Sequence, residues 1–312
     1  MDLKFGLATP SQLWSLQWAD RLALLNEIDV GGFTHVFLAD HVSFRNGAGA
    51  DGFVEAAALA QLHPNLGVMI SIYLLPLRHP LPVARQLASM ARVAPGRFTF
   101  GVGIGGEDPH ELAVCGVNPR QRGVRANESL TIIQGLLRGE TVSFSGQAFE
   151  IDNAVIRPTP AIAIPTLVGG RSDAALKRTA RFGDGWIGVW CSVKRYAQAV
   201  AMIEAEAIAL GRSNVDWCHG YQPWVGVDWD SAETAKAAVK SGMEAFYKIP
   251  FEQFERYTPA GTPFEVAAQL APYARAGCKM FNLKICAEHP EEEVALGAAV
   301  IEHLTQLVAA DK

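Results

Sequence analysis

Short, nearly unbroken apolar runs alternate along this chain with longer stretches in which apolar side chains recur every third or fourth position. That rhythm predicts strands and helices in succession. Lys4 to Thr9 reads as a strand stopped by Pro10, Ser15 to Val30 as a helix ended by Gly31-Gly32, and His35 to Leu38 as a second strand closing on Ala39-Asp40-His41. Gly52 to Leu62 is an Ala-rich helix, and Leu66 to Leu75 is apolar enough for a strand buried on both faces. Pro80 to Val93 forms a helix with proline in its first turn, and Phe98 to Val102 a strand that opens into Gly103, Gly105 and Gly106. Gln121 to Leu137 is again helical.

The rhythm lapses between Gly139 and Pro165, where alternation and prolines predict a hairpin-like excursion. It resumes with strands at Thr166 to Gly170, Gly185 to Val189, Tyr221 to Val227 and Met280 to Ile285. Helices are expected at Ser172 to Arg181, Val193 to Leu210, Ser231 to Phe246, Pro263 to Ala276 and Pro290 to Ala310. Eight strands with no compositional break between halves predict a single (β/α)8 TIM barrel over residues 1–312, with an insertion at about 140–165 and a longer segment at about 246–262. Barrel chemistry sits at the C-terminal strand ends, which would gather Asp40-His41, the Ser71 region, Gly103 to Glu107, Gly169 to Ser172 and Trp186 around one mouth.

Composition narrows the partners. Of 312 residues 49% are hydrophobic and 19% charged, and a net charge of −5 without a basic run excludes nucleic acid and anionic membrane as expected partners, leaving a small-molecule substrate. Five cysteines without a C-x-x-C pair point to neither a disulfide framework nor structural zinc. The start lacks a basic-then-apolar leader, and no apolar run is long enough to span a bilayer, so a soluble cytoplasmic protein is expected.

Gly169-Gly170-Arg171-Ser172 ends a strand and opens a helix, a place where free amides, the helix dipole and a cation can cradle an anion. Ordinary capping by Ser172 would use the same residues. The glycines after Phe98 to Val102 do not keep the G-x-G-x-x-G dinucleotide spacing, and no P-loop is present. Asp40 and His41 can hydrogen-bond a heterocycle or an alcohol, and an imidazole can pass a proton near neutrality; a capped loop and a wall residue are the plainer alternative. Glu107, His110 and Glu111 follow the glycines without metal-ligand spacing, and Arg78-His79 either starts a helix or reaches a phosphate. Cys191 lacks a partner pattern for nucleophilic work, and Lys284 is the lysine at a predicted strand end where a Schiff base could form.

Taken together, ADHV at 39–42, PLRHPLPVARQLASMARVAPGRFTFGVGIGGEDPHE at 76–111, RGVRANESLTIIQGLLRGETVSFSGQAFEI at 122–151 and PTLVGGRSDAALKRTARFGDGW at 165–186 resemble the luciferase-like monooxygenase superfamily, which holds bacterial luciferase and flavin- and deazaflavin-type barrels. The resemblance implies a flavin-like ligand. The Asp40-His41 pair is similar to that of members binding coenzyme F420, which implies this deazaflavin, with FMN the alternative. It further implies that Asp40 and His41 face the ring and that Ser71-Ile72 forms a backbone bulge behind it. Gly103, Gly105, Gly106 and Glu107 with Gly169, Gly170, Arg171 and Ser172 would hold the phosphate-bearing tail. Val42-Ser43-Phe44-Arg45 replaces the Pro-Trp of the sugar-phosphate branch, so that substrate is not implied. The expected activity is hydride transfer to or from a small organic substrate, with His41 handling the proton and Glu107 second. Trp14, Phe44, Trp190 and a mobile lid over 246–260 would line the substrate side, and a homodimer is expected. An FMN monooxygenase using oxygen and a non-catalytic cofactor carrier are the other readings.

Overall fold

The structure is a computed structural model that describes residues 3–45, 47–106 and 108–310. Strand β1 (Lys4–Ala8) leads through helix α1 (Trp18–Val30) to β2 (His35–Leu38). A short antiparallel pair, β3 (His41–Phe44) and β4 (Ala48–Ala50), precedes α2 (Gly52–Leu62), β5 (Gly67–Leu74), α3 (Pro80–Val93) and β6 (Phe98–Gly103). Then come α4 (Pro109–Val114), α5 (Arg122–Leu137), the hairpin β7 (Val142–Ser145) and β8 (Glu150–Ala154), β9 (Thr166–Gly169) and α6 (Asp173–Phe182). The chain finishes with β10 (Gly185–Gly188), α7 (Val193–Ala209), β11 (Gly220–Tyr221), β12 (Trp224–Val227), α8 (Ala232–Tyr247), β13 (Ala260–Gly261), α9 (Pro263–Arg275), β14 (Met280–Cys286) and α10 (Glu293–Ala309). With β11 and β12 taken as one strand broken near Pro223, these are the βα units of a (β/α)8 barrel, the expected fold class. The excursion expected at 140–165 is the β7–β8 hairpin, and the pair β3–β4 is an addition. No described helix is long and apolar enough to cross a membrane.

The chain divides into two compact units, Leu38–Asp184 and Met1–Phe37 with Gly185–Lys312. In the first, β6 lies parallel between β5 and β9, pairing Val68 with Phe98 and Gly101 with Leu167. Phe53 of α2 packs its ring against Tyr73, Phe98 and Phe100, which anchors the helix on these strands. The β5–β6 register shifts between Ile70 and Tyr73, where the backbone bulges and the Ser71-Ile72 peptide is cis. The bulge turns Ile72 onto the strand glycines. A Cβ added at Gly103 would stand 2.6 Å from Ile72 Cγ2, and one at Gly169 2.9 Å from Ile72 Cδ1. These two glycines therefore make room for Ile72.

In the second unit β14 pairs in parallel with β1 on one side and with β11 and β12 on the other. Asn282 of β14 and His35 of β2 meet over Gly6, with His35 Nε2 2.8 Å from Asn282 Oδ1, while Asn282 Nδ2 donates to Gln222 Oε1 at 3.1 Å. Burial drives the His35 imidazole down to about 4, so it is neutral there. Side chains alternate along a strand, so the odd-numbered Phe281 and Ile285 point the other way, Ile285 toward Gly297 of α10. The segment 246–260, expected to be a mobile lid, packs down through its own apolar residues. Phe251 and Phe254 are buried against Val239, Met243 and Cys286, with Trp190, Trp224 and Tyr247 around them. Burying each phenylalanine contributes about 1.5–3 kcal/mol to this packing.

Candidate functional site

Every expected cofactor-site residue that the structure describes lies in the unit Leu38–Asp184. Strand β3 begins where β2 ends and carries His41 at its first position. Two carboxylates from the loop and helix α4 after β6 hold this strand from far along the chain. Glu111 Oε1 accepts from the amides of Val42 at 2.7 Å and Ser43 at 3.1 Å, and Asp108 Oδ2 accepts from the Arg45 amide at 2.6 Å. Asp108 also caps α4 by accepting from the His110 amide at 3.0 Å.

The remaining oxygen of Glu111 meets the imidazole: His41 Nδ1 stands 3.0 Å from Oε2 and 3.3 Å from Oε1, and the Glu111 side chain is 4% exposed. An ionised carboxylate only accepts, so Nδ1 carries a hydrogen, and in the neutral ring Nε2 then holds the lone pair. This tautomer follows from the partner. Among the described residues Nε2 has no hydrogen-bond partner, and the ring rests on Phe44 at 4.3 Å between centroids. A histidine oriented through one nitrogen and open at the other is the arrangement of a general acid or base.

Asp40 was expected to face a ligand; the structure gives its carboxylate four internal donors. Arg78 donates from Nη1 to Oδ2 at 2.6 Å and from Nη2 to Oδ1 at 2.8 Å, and the Gly52 and Leu74 amides each donate at 3.0 Å. Four donors fill the lone pairs of a carboxylate, and Asp40 is 0% exposed. Burial pushes its carboxyl up, while Arg78 and the two amides pull it back. Asp40 therefore ties the start of α2 to the end of β5. Arg78 is taken up by this pair, and His79 caps α3 by accepting from the Leu81 amide at 3.3 Å.

The glycines at the end of β6 divide by role. Gly103 belongs with Ile72, whereas Gly105 at φ 67 and Gly106 at φ 127 turn the backbone through conformations that side chains avoid. Arg122, at the start of α5, lies against Gly106: a Cβ there would stand 3.5 Å from the guanidinium carbon. Its Nη1 donates to the Pro119 carbonyl at 3.0 Å, but among the described residues its buried Nε has no partner. A buried cationic N–H left over beside two turned glycines is what an anionic oxygen would satisfy, so the residues fit a phosphate-bearing cofactor. On the neighbouring strand Gly170 adopts φ 128, Arg171 is exposed, and Ser172 Oγ accepts from the Ala175 amide at 3.3 Å, capping α6. Ser71 is buried at the bulge. Glu107 lies outside the described residues.

Outside this unit the expectation for Trp186 is corrected. It is 2% exposed, with its ring 5.2 Å from that of Tyr196 on α7, so it faces a helix rather than a mouth. Cys191 is buried, its carbonyl accepting from the Tyr273 hydroxyl at 2.7 Å. The sequence reading missed the roles of Glu111, Asp108 and Arg122.

The family follows from comparison with known proteins, whose luciferase-like monooxygenase profile matches residues 3–280. The chain belongs to the luciferase-like monooxygenase family. An F420-dependent hydroxymycolic acid dehydrogenase of Mycobacterium tuberculosis is 31% identical over 203 residues, which is 62% of this chain and 55% of the relative. An uncharacterised protein of the same species is 38% identical over 135 residues, 43% of this chain and 46% of the relative. The chain thus spans about half the length of these curated relatives. Among solved structures of luciferase-like fold, an F420-dependent secondary alcohol dehydrogenase in complex with an F420-acetone adduct superposes with a TM-score of 0.83 over 97% of this chain and 99% of its own, at 18% identity.

Proposed function

We propose that this luciferase-like protein is an oxidoreductase that transfers a hydride between the deazaflavin coenzyme F420 and a small organic substrate. The observation that carries this reading is His41, held through Nδ1 by Glu111 and open at Nε2, in the same unit as the Gly105-Gly106-Arg122 cradle. Relatives named as F420-dependent dehydrogenases, such as one for glucose-6-phosphate from Beutenbergia cavernae at 33% identity over 176 residues, support the choice of cofactor.

When bound, the deazaflavin supplies a ring carbon that takes or gives the hydride. The chain supplies the rest. His41 Nε2 accepts the hydroxyl proton of an alcohol as its C–H hydride leaves, and returns that proton to the oxygen in the reverse direction. Glu111 does not touch the reacting atoms; it is a positioning residue that keeps Nδ1 protonated and the lone pair aimed outward. Asp40 fixes the end of β5 through the Leu74 amide and so positions the Ser71-Ile72 bulge. Arg122 with the turned backbone at Gly105 and Gly106 grips an anionic oxygen of the tail, and Gly170, Arg171 and Ser172 add to that grip, while Gly103 and Gly169 seat Ile72. Glu107 is the second proton-handling candidate. The protein works in the cytoplasm as a homodimer.

The test is fluorescence titration of the purified protein with F420 and with FMN, followed by F420 reduction with a panel of secondary alcohols. Tighter binding of F420 and turnover that His41→Ala abolishes are expected. Oxygen uptake with reduced FMN would overturn the reading in favour of a monooxygenase. F420 binding without turnover of alcohols, imines or enones in either direction would leave a cofactor carrier.

A further inference from the structure

Within the unit formed by residues 1–37 and 185–312, strand β14 ends in a group of polar side chains that the proposed chemistry does not use. Lys284 shares the face of Asn282, two residues nearer the C-terminal end of the strand, the end at which (β/α)8 proteins carry their sites. Its register partner on β12 is Trp224, and Lys284 Nζ lies 5.7 Å from the centroid of that ring. Glu293, in the first turn of α10, is close enough to Lys284 for the two charges to act on each other. Yet among the described residues neither the ammonium nor this carboxyl group has a hydrogen bond or a direct ion pair. Tyr247 extends the indole, its hydroxyl 3.3 Å from Trp224 Nε1, and Trp190 packs on Tyr247 at 5.1 Å. A lysine on an aromatic wall without an acceptor is a receptor for an anion with an apolar body.

We propose that Lys284 binds the anionic oxygens, carboxylate or phosphate, of an aryl or alkyl acid whose apolar part lies on Trp224 and Tyr247. The inference rests on the oxidoreductase reading only in taking this acid to be the substrate. The neighbouring acids do not compete for the lysine. Burial pushes the Glu293 carboxyl up to about 7, only partly countered by Lys284, and pushes the Cys286 thiol up to about 12. Both acids are thus held toward their neutral forms below neutrality. Desolvation by the aromatic side chains strengthens the pull of Lys284 on an anion.

The experiment is calorimetric titration of the full chain, just below neutral pH, with phenylacetate, phenyl phosphate and the neutral phenylacetamide, repeated on Lys284→Met and Lys284→Arg. At least one acid is expected to bind, the amide roughly 10- to 100-fold more weakly, as the loss of one charged hydrogen bond dictates. Lys284→Met should lower acid affinity to the level of the amide and leave the amide unchanged, while Lys284→Arg retains acid binding and shows that the effect is one of charge. Which acid binds more tightly decides between carboxylate and phosphate. The proposal is overturned if neither acid binds, if the amide binds as well as the acids, or if Lys284→Met binds them like the native chain. Titration of the native chain with F420 tests the cofactor reading separately, so either can fail alone.

Discussion

Replacing Glu111 with Gln leaves the shape of the His41 support almost intact and reverses its polarity. In the native chain Oε1 accepts from the Val42 and Ser43 amides at 2.7 and 3.1 Å, and Oε2 faces His41 Nδ1 at 3.0 Å. A glutamine must place its carbonyl oxygen at the two amides, which puts its NH2 group opposite Nδ1. That nitrogen then has to accept, and the imidazole proton moves to Nε2. The two amides keep an acceptor, so stability falls only by the difference between charged and neutral hydrogen bonds, roughly 1–2 kcal/mol. Catalysis loses much more, because Nε2 now carries a hydrogen where the reaction needs a lone pair, and a drop of roughly 10²- to 10⁴-fold in kcat is expected. Glu111→Ala strands both amides and should cost about 2–5 kcal/mol of stability. Nitrogen-15 NMR of the histidine ring reads the tautomer without a substrate: Nδ1-protonated in the native chain, Nε2-protonated in Glu111→Gln. The same tautomer in both proteins would refute the reasoning whatever happened to activity.

Arg122→Met removes the guanidinium beside Gly106 and should weaken F420 binding by roughly 10- to 100-fold, the worth of one charged hydrogen bond; an unchanged fluorescence titration would remove Arg122 from the cradle. His35 is lowered to about 4 from 6.5 and His219 likewise, both by burial, so the unfolded chain takes up protons that the folded chain refuses. Stability is therefore full above pH 6.5 and is lost as pH falls toward 4, by up to about 3 kcal/mol per histidine, and His35→Gln should flatten that limb of denaturation measured against pH. Glu293 has the opposite sign: raised from 4.5 to about 7, it contributes fully below pH 4.5, and that contribution is lost as pH rises to about 7, up to about 3 kcal/mol. Glu293→Gln should abolish the decline over that window.

Most of the barrel is legible in the chain because strands buried on both faces read as apolar runs and their helices are punctuated by residues such as Pro80 and Ser172 that do in the structure what their chemistry suggests. His41 is legible for the same reason, as a polar residue where an apolar strand stops. Its support is not. Glu111 lies 70 residues from His41, and Asp108-Pro109-His110-Glu111 reads as an ordinary helix start, which Asp108 indeed provides. Nothing local says that the loop also carries the acceptors for β3, so the β3–β4 pair stays invisible until the fold brings them together. The glycines after Phe98 were visible as glycines, but the sequence could not say that Gly103 answers to Ile72 while Gly106 answers to Arg122.

Trp186 shows the physical limit more sharply. In GWIGVW every position is apolar or glycine, so no alternation tells which face each residue takes, and a shift of one position exchanges the two faces. In strands of this kind the informative residues are the polar exceptions. His35 and Asn282 mark the interior face because each would be orphaned against a helix, and each satisfies the other at 2.8 Å. Once Asn282 fixes that face on β14, Lys284 follows by parity from the sequence alone. The same logic separates two cations: Arg78 has Asp40 to neutralise it within the fold, whereas Lys284 has an indole beneath it and, nearby, a carboxyl that burial pushes up to about 7. That contrast is why Lys284, and not Arg78, is the cation proposed to take an anion from outside.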